Sequence, residues 1–204
     1  VYPISLNLTG TLVLVVGGGR VALRKVQSLL REDAKIIVVA PKTLPELKAL
    51  AQSGQIKLYL REFQEEDLSG PKLVFAATDN SELNKRIANL CQRLGIWVNV
   101  ADSPEESNFI VPAVWRRGGW EIAVGTSGLS PFAARLLKEE LSRLIEPAWD
   151  DYLKFLGELR KALKESKIEK NKREEILKEV AKIYDYQKFC QEKPSVKLIL
   201  EKFK

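Results

Sequence analysis

Through the first hundred residues the apolar positions follow two alternating rhythms. Largely apolar runs at 12–16, 35–40, 56–60, 72–76 and 96–100 are separated by segments whose apolar residues recur every three or four positions. The runs read as short strands, most of them buried on both faces. Val26, Leu29 and Leu30 give residues 21–30 a helical stripe. Residues 45–53 read as a second helix, and Leu83, Ile87, Leu90 and Leu94 mark a third over 82–94. Pro41 stops the second strand. Strands alternating with helices predict a parallel sheet covered on both faces, an α/β domain of Rossmann type.

The rhythm changes after Val100. Two extended segments flank Trp115-Arg-Arg-Gly-Gly-Trp120, which reads as a hairpin turn. Trp120, Ile122 and Val124 alternate with Glu121, Ala123 and Gly125. Ser130 then stands as N-cap and Pro131 at the first position of a long helical region. No convincing strand follows, although residues 196–200 suit helix or strand. The chain therefore divides into a Rossmann domain (1–111), a strand-plus-helix region (112–146) and a small helical C-terminal domain (147–204).

Composition narrows the chemistry. No apolar run among the 204 residues is long enough to cross a bilayer, and no basic-then-apolar leader opens the sequence. A cytoplasmic protein without a membrane partner is expected. Cys91 and Cys190 lie far apart and read as two reduced thiols. Histidine is absent, which removes the usual imidazole base and the commonest metal ligand; no metal site is expected. Of the net charge of +6, +5 falls on residues 151–204, with 15 Lys and Arg against 10 Asp and Glu. That excess could attract an acidic ligand, yet Lys/Glu mixtures usually make a solvated helical face. No recognition helix with interleaved Arg, Asn and Gln contacts stands out, so no nucleic-acid partner is expected.

The junction at residues 16–22 carries the sharpest signal. Gly17, Gly19 and Ala22 fit G-x-G-x-x-A between a strand and a helix, the dinucleotide-binding context. Gly17 allows the tight turn, Gly19 lets the backbone approach a pyrophosphate, and Ala22 lets the helix pack closely. Gly18, Arg20 and Val21 complete the phosphate turn, whose helix-opening amides suit an anion. At the end of the second strand, where an NAD site usually carries an acid, the chain has Ala40-Pro41-Lys42. Lys42 would suit a 2′-phosphate, so residue types alone leave NAD or NADP open. Ala77 and Thr78 follow a later strand, where they can border a cofactor ring or simply precede a helix capped by Asp79, Asn80 or Ser81. Asn99 and Asp102 end the last parallel strand. With no histidine, Asp102 is the best-placed acid–base group; a loop carboxylate before Pro104 is the plain alternative. Thr126, Ser127, Gly128 and Ser130 form a hydroxyl- and glycine-rich turn before a helix, either an anion site or a capped helix start.

Taken in order, Val16-Gly-Gly-Gly-Arg-Val-Ala-Leu-Arg-Lys25, Ala76-Ala-Thr-Asp79 with Asn84, Asn99-Val-Ala-Asp102, Ser107-Asn-Phe-Ile-Val-Pro112 and Gly128-Leu-Ser-Pro-Phe-Ala-Ala-Arg135 form a set. The set resembles the precorrin-2 dehydrogenase family, also known as the siroheme synthase N-terminal region, over residues 1 to about 145. The resemblance implies NAD-dependent oxidation of precorrin-2 to sirohydrochlorin, in some members followed by Fe²⁺ insertion. It implies a homodimer, with residues 112–146 as the dimerisation region, and a family aspartate at Asp102. It also implies a tetrapyrrole site using Asn99, Thr126 or Ser127, Gly128, Ser130 and Arg135, and NAD use without the usual acid at Ala40. The missing histidine favours a dehydrogenase without chelatase activity. Two other readings fit the glycine turn: an NAD(H)-sensing regulatory module without catalysis, and a dimer scaffold with a dead site.

Overall fold

The computed structural model describes residues 2–101 and 103–202. The chain forms two compact units, Val1–Val111 and Pro112–Lys204.

The first unit is a five-stranded parallel sheet in the order β3-β2-β1-β4-β5. Its strands are β1 (Leu12–Val16), β2 (Lys35–Val39), β3 (Lys57–Tyr59), β4 (Leu73–Ala76) and β5 (Trp97–Val100), joined through α1 (Arg20–Leu30), α2 (Pro45–Gln52) and α3 (Ser81–Arg93). β1 and β4 read as nearly continuous apolar runs because both faces are covered. One face packs Val13, Val15 and Phe75 against Ala22, Val26 and Leu29 of α1; the other packs Leu14, Val16 and Val74 against Ile87, Ala88 and Cys91 of α3. Cys91 is fully buried, and burial pushes its thiol up to about 11, so it is not a nucleophile at neutral pH. Leu94 departs from its expected place in the helical stripe: it is the C-cap of α3 and 60% exposed.

The edge strand β5 is covered by a polar strap. Asn108 Oδ1 accepts from the Val98 N–H (2.7 Å), Asn108 N–H donates to the Val98 carbonyl (3.0 Å), and Asn108 Nδ2 donates to the Ile96 carbonyl (3.1 Å). Ser107 Oγ accepts from the Val100 N–H (2.9 Å). The segment thus satisfies edge groups that would otherwise invite another strand.

The second unit opens with the antiparallel hairpin β6 (Ala113–Arg117) and β7 (Trp120–Val124). Gly118 and Gly119 turn it with both φ positive, 55° and 95°, the backbone of a two-residue type I′ turn. A Cβ on Gly118 would collide with the Asp150 carboxyl group. Helix α4 (Pro131–Leu144) packs on both strands, and α5 (Ala148–Glu165) packs on α6 (Lys170–Ile183), α7 (Tyr186–Glu192) and α8 (Val196–Lys202). The ambiguous stretch at 196–200 is therefore helical. Tyr152, Phe155, Leu159, Leu163, Ile176, Val180 and Phe189 form the bundle's core. Arg117 ties hairpin to bundle, donating to Asp150 Oδ2 (3.1 Å) and to the Glu146 carbonyl (2.6 Å), and Trp120 Nε1 donates to the Trp149 carbonyl (3.2 Å).

Candidate functional site

In the sheet order, connections leave β1 towards β2 and β3 on one side and reach β4 and β5 on the other. Ligands of such sheets bind outside the carboxyl ends of the strands at this switch point. Gly17 follows β1 and Ala77 follows β4, on the two sides of it. Gly17 has φ 129°, and a Cβ there would lie 2.6 Å from the Ala77 carbonyl carbon. A Cβ on Gly18 would collide with the Lys42 carbonyl and lie 2.8 Å from Thr43 Cα. These two glycines let three loops meet backbone to backbone.

Gly19 is different. Its φ and ψ, −88° and −170°, are open to any residue, and a Cβ there would meet nothing within 4 Å. Neither strain nor packing within the protein asks for glycine at this position. A ligand that must approach the backbone would. Gly19 N-caps α1 without a side-chain bond, the first turn holds no acid, and Leu23 N–H closes the first helical bond onto the Gly19 carbonyl (3.0 Å). The N–H groups of Arg20, Val21 and Ala22 thus precede any intrahelical acceptor, and Arg20 is exposed beside them. This cradle fits the pyrophosphate of a dinucleotide, with the helix dipole adding to its attraction for anions.

Ala40 and Pro41 directly follow β2, with Ala40 N–H donating to the Tyr59 carbonyl (3.1 Å). After β4, Thr78 is held rather than displayed. Its hydroxyl lies 2.7 Å from Oδ1 of the buried Asn84 and 3.1 Å from the Asn80 carbonyl, while Asn84 Nδ2 donates to the Thr78 carbonyl (3.0 Å). Asn80 supplies the cap, accepting from the Leu83 N–H (3.0 Å). Asn84 fixes the loop that borders the crevice, and a polar residue inside an otherwise apolar helical face was the sequence signal for it.

Asn99 sits beside Phe75 in the β4–β5 register. Its Oδ1 accepts from Lys25 Nζ (3.2 Å) and its Nδ2 donates to the Phe109 carbonyl (3.1 Å). Lys25 Nζ stands 5.0 Å from the centre of the Phe75 ring, which meets Phe109 edge-on at 5.5 Å. Lys25 was not singled out from the sequence, yet it links α1 to the end of β5. Asp102 lies outside the described residues.

In the second unit, Thr126 Oγ1 accepts from the Ser130 N–H (3.1 Å), and Ser130 Oγ accepts from the Ala133 N–H (3.1 Å) as N-cap of α4. Gly128 completes the turn with φ 87°. Ser127 has φ 52°, a left-handed conformation uncommon outside glycine, and is exposed with no hydrogen-bond partner for its hydroxyl among the described residues. Arg135 is exposed on the first turns of α4. Two surface grooves, of about 340 and 370 Å³, run along α3 between Glu65, Leu90 and Arg93; no residue assigned to coenzyme or substrate lines them. No group of three or more metal-ligating side chains occurs among the described residues.

Comparison with known proteins gives this geometry its relatives. Residues 4–113 match the family described as "Putative NAD(P)-binding", and residues 149–188 match the SirC C-terminal domain family. The siroheme synthase of Nitrosococcus oceani is 40% identical over 163 residues, which cover 80% of this chain and 35% of that protein. Siroheme synthase 1 of Aeromonas salmonicida is 41% identical over 162 residues, covering 79% and 35%. The matched region is about a third of the length of these curated relatives. A solved structure of "SirC, precorrin-2 dehydrogenase" aligns with a TM-score of 0.78 at 30% identity, covering 99% of this chain and 98% of that one.

Proposed function

The chain belongs to the precorrin-2 dehydrogenase family, and from that membership we propose that it oxidises precorrin-2 to sirohydrochlorin with NAD⁺ in the synthesis of siroheme or another modified tetrapyrrole. The observation that carries the coenzyme site is Gly19, a glycine that neither backbone strain nor packing among the described residues requires. Gly17, Gly18, Arg20, Val21 and Ala22 shape the phosphate turn; Ala40 and Pro41 border the adenosine end, and Ala77 and Thr78 the nicotinamide end. Bound there, NAD⁺ supplies the hydride acceptor.

The protein's own part is orientation and one proton. Asp102 is assigned the proton that leaves the tetrapyrrole as its carbon is oxidised. That role rests on its place two residues after β5 and on the absence of histidine. Asn99, braced by Lys25 and Phe109, is fixed at the end of β5. Ser127, Gly128, Thr126, Ser130 and Arg135 are assigned to the substrate's carboxylates. Ser127 leads this group because its backbone is left-handed, it is exposed, and its hydroxyl has no hydrogen-bond partner among the described residues.

Residues 112–146 are assigned to homodimerisation, with 147–204 as a helical C-terminal domain. Leu129, Phe132, Leu136, Leu137 and Leu144 are 48–89% exposed on and beside α4, a larger apolar strip than a solvated helix carries. No helix among the described residues is long and apolar enough to cross a membrane, and both cysteines are free, which fits a reducing cytoplasm.

Gly19→Val tests the coenzyme site. The thermal midpoint should fall by only about 2–4 °C, the cost of valine for glycine at an N-cap, because a Cβ there meets no described atom within 4 Å, while NAD⁺ affinity should fall at least about tenfold as the phosphates are held off. Unchanged NAD⁺ binding in a folded Gly19→Val protein would remove the site.

A further inference from the structure

We propose that this coenzyme site, if it is the dinucleotide site described above, does not discriminate against a 2′-phosphate: Lys42 makes it open to NADP⁺ as well as NAD⁺. In a Rossmann site an acid at the end of the second strand holds the ribose diol and repels a 2′-phosphate. Here the segment after β2 is Ala40-Pro41-Lys42-Thr43-Leu44, with no acid before Glu46 in α2.

The cation is not on a loose loop. A Cβ on Gly18 would collide with the Lys42 carbonyl, and Leu44 N–H donates to the Gly18 carbonyl (3.0 Å). The backbone that carries Lys42 is thereby pinned to the phosphate turn, one residue from Gly19, and the Lys42 side chain is exposed. In a Rossmann site the end of the second strand is where the adenosine ribose would be held, so Lys42 would be the charged residue nearest its 2′ position.

The first charged residue after the neighbouring strand β3 is a cation, Arg61, ahead of Glu62, Glu65, Glu66 and Asp67. Tyr59 receives the Ala40 N–H on its carbonyl, and Arg61 and Asp67 follow. The Asp67 carboxylate accepts from Arg61 Nη1 (2.8 Å) and from the Gln64 N–H (2.9 Å), so its charge is matched within the protein. Lys42 has no ion pair among the described residues, so its ammonium is available to a phosphate.

The test is titration calorimetry of the intact protein with NAD⁺ and with NADP⁺, repeated on Lys42→Glu and Lys42→Gln. The two coenzymes should bind the unaltered protein within about tenfold of each other. Lys42→Glu should weaken NADP⁺ by about thirtyfold or more, the loss of a charge-assisted contact plus repulsion, and leave NAD⁺ within about threefold. Lys42→Gln should fall between. NADP⁺ bound about a hundredfold more weakly than NAD⁺, or equal losses of both coenzymes in Lys42→Glu, would overturn the proposal while leaving the NAD⁺ site intact. Failure of both coenzymes to bind the unaltered protein would overturn the coenzyme site and this proposal with it.

Discussion

Ser127 is the residue whose conformation and chemistry disagree most. A left-handed serine costs about 1 kcal/mol, and its hydroxyl does nothing for the fold. Replacing it with glycine should leave the thermal stability unchanged or raise it by up to about 1 kcal/mol. Ser127→Ala should keep the fold and lower kcat/KM for the tetrapyrrole by about tenfold, the worth of one hydrogen bond to a charged group, with NAD⁺ affinity unchanged. Equal kinetics in Ser127→Ala would remove it from the substrate site. Asp67 works differently, entirely for stability. The Arg61 guanidinium hydrogen-bonds its carboxylate and holds it below the ordinary 3.8. A carboxyl lowered in the folded state stabilises above its unfolded value, and that contribution disappears as pH falls through the folded one. Denaturation followed from pH 6 to pH 2 should therefore show a steeper acid loss in the unaltered protein than in Asp67→Asn.

At the scale of elements, the sheet and its helices were legible because continuous apolar runs and helical stripes alternate without interruption. The glycine turn was legible because its spacing is tied to a strand end and a helix start. What spacing could not distinguish is why each glycine is there. Gly17 and Gly18 answer to Ala77 and Lys42, residues distant in sequence, whereas a Cβ on Gly19 meets no atom of the described residues within 4 Å. The strap at Ser107 and Asn108 was invisible as structure because it borrows side chains to imitate a strand. Lys25 was invisible as an organiser because its partner, Asn99, comes from another element, whereas Asn84 stood out as a polar residue on the buried face of α3 but its partner Thr78 did not. Helix α4 carries the clearest consequence at this scale. Its buried side meets the hairpin through Ala134, while Phe132, Leu136 and Leu137 face outward. If that face is the dimer interface, each large apolar side chain buried there contributes about 1.5–3 kcal/mol. Phe132→Glu with Leu136→Glu should then turn a dimer into a folded monomer in sedimentation equilibrium. A double variant that remains dimeric would place the interface elsewhere.

For the whole molecule, two units divide two tasks. The first holds a parallel sheet whose switch point suits a dinucleotide. The second carries the hydroxyl-rich turn, the apolar helix and a basic helical bundle in which most of the net charge of +6 resides. The most direct measurement mixes the protein with precorrin-2 and NAD⁺ under anaerobic, metal-free conditions. NADH and the sirohydrochlorin spectrum are then followed together, with Asp102→Asn in parallel. The account predicts enzyme-dependent appearance of both products in equal amounts, and at least about a hundredfold slower turnover in Asp102→Asn. NAD⁺ binding without either product would contradict it and leave a nucleotide-sensing module in its place.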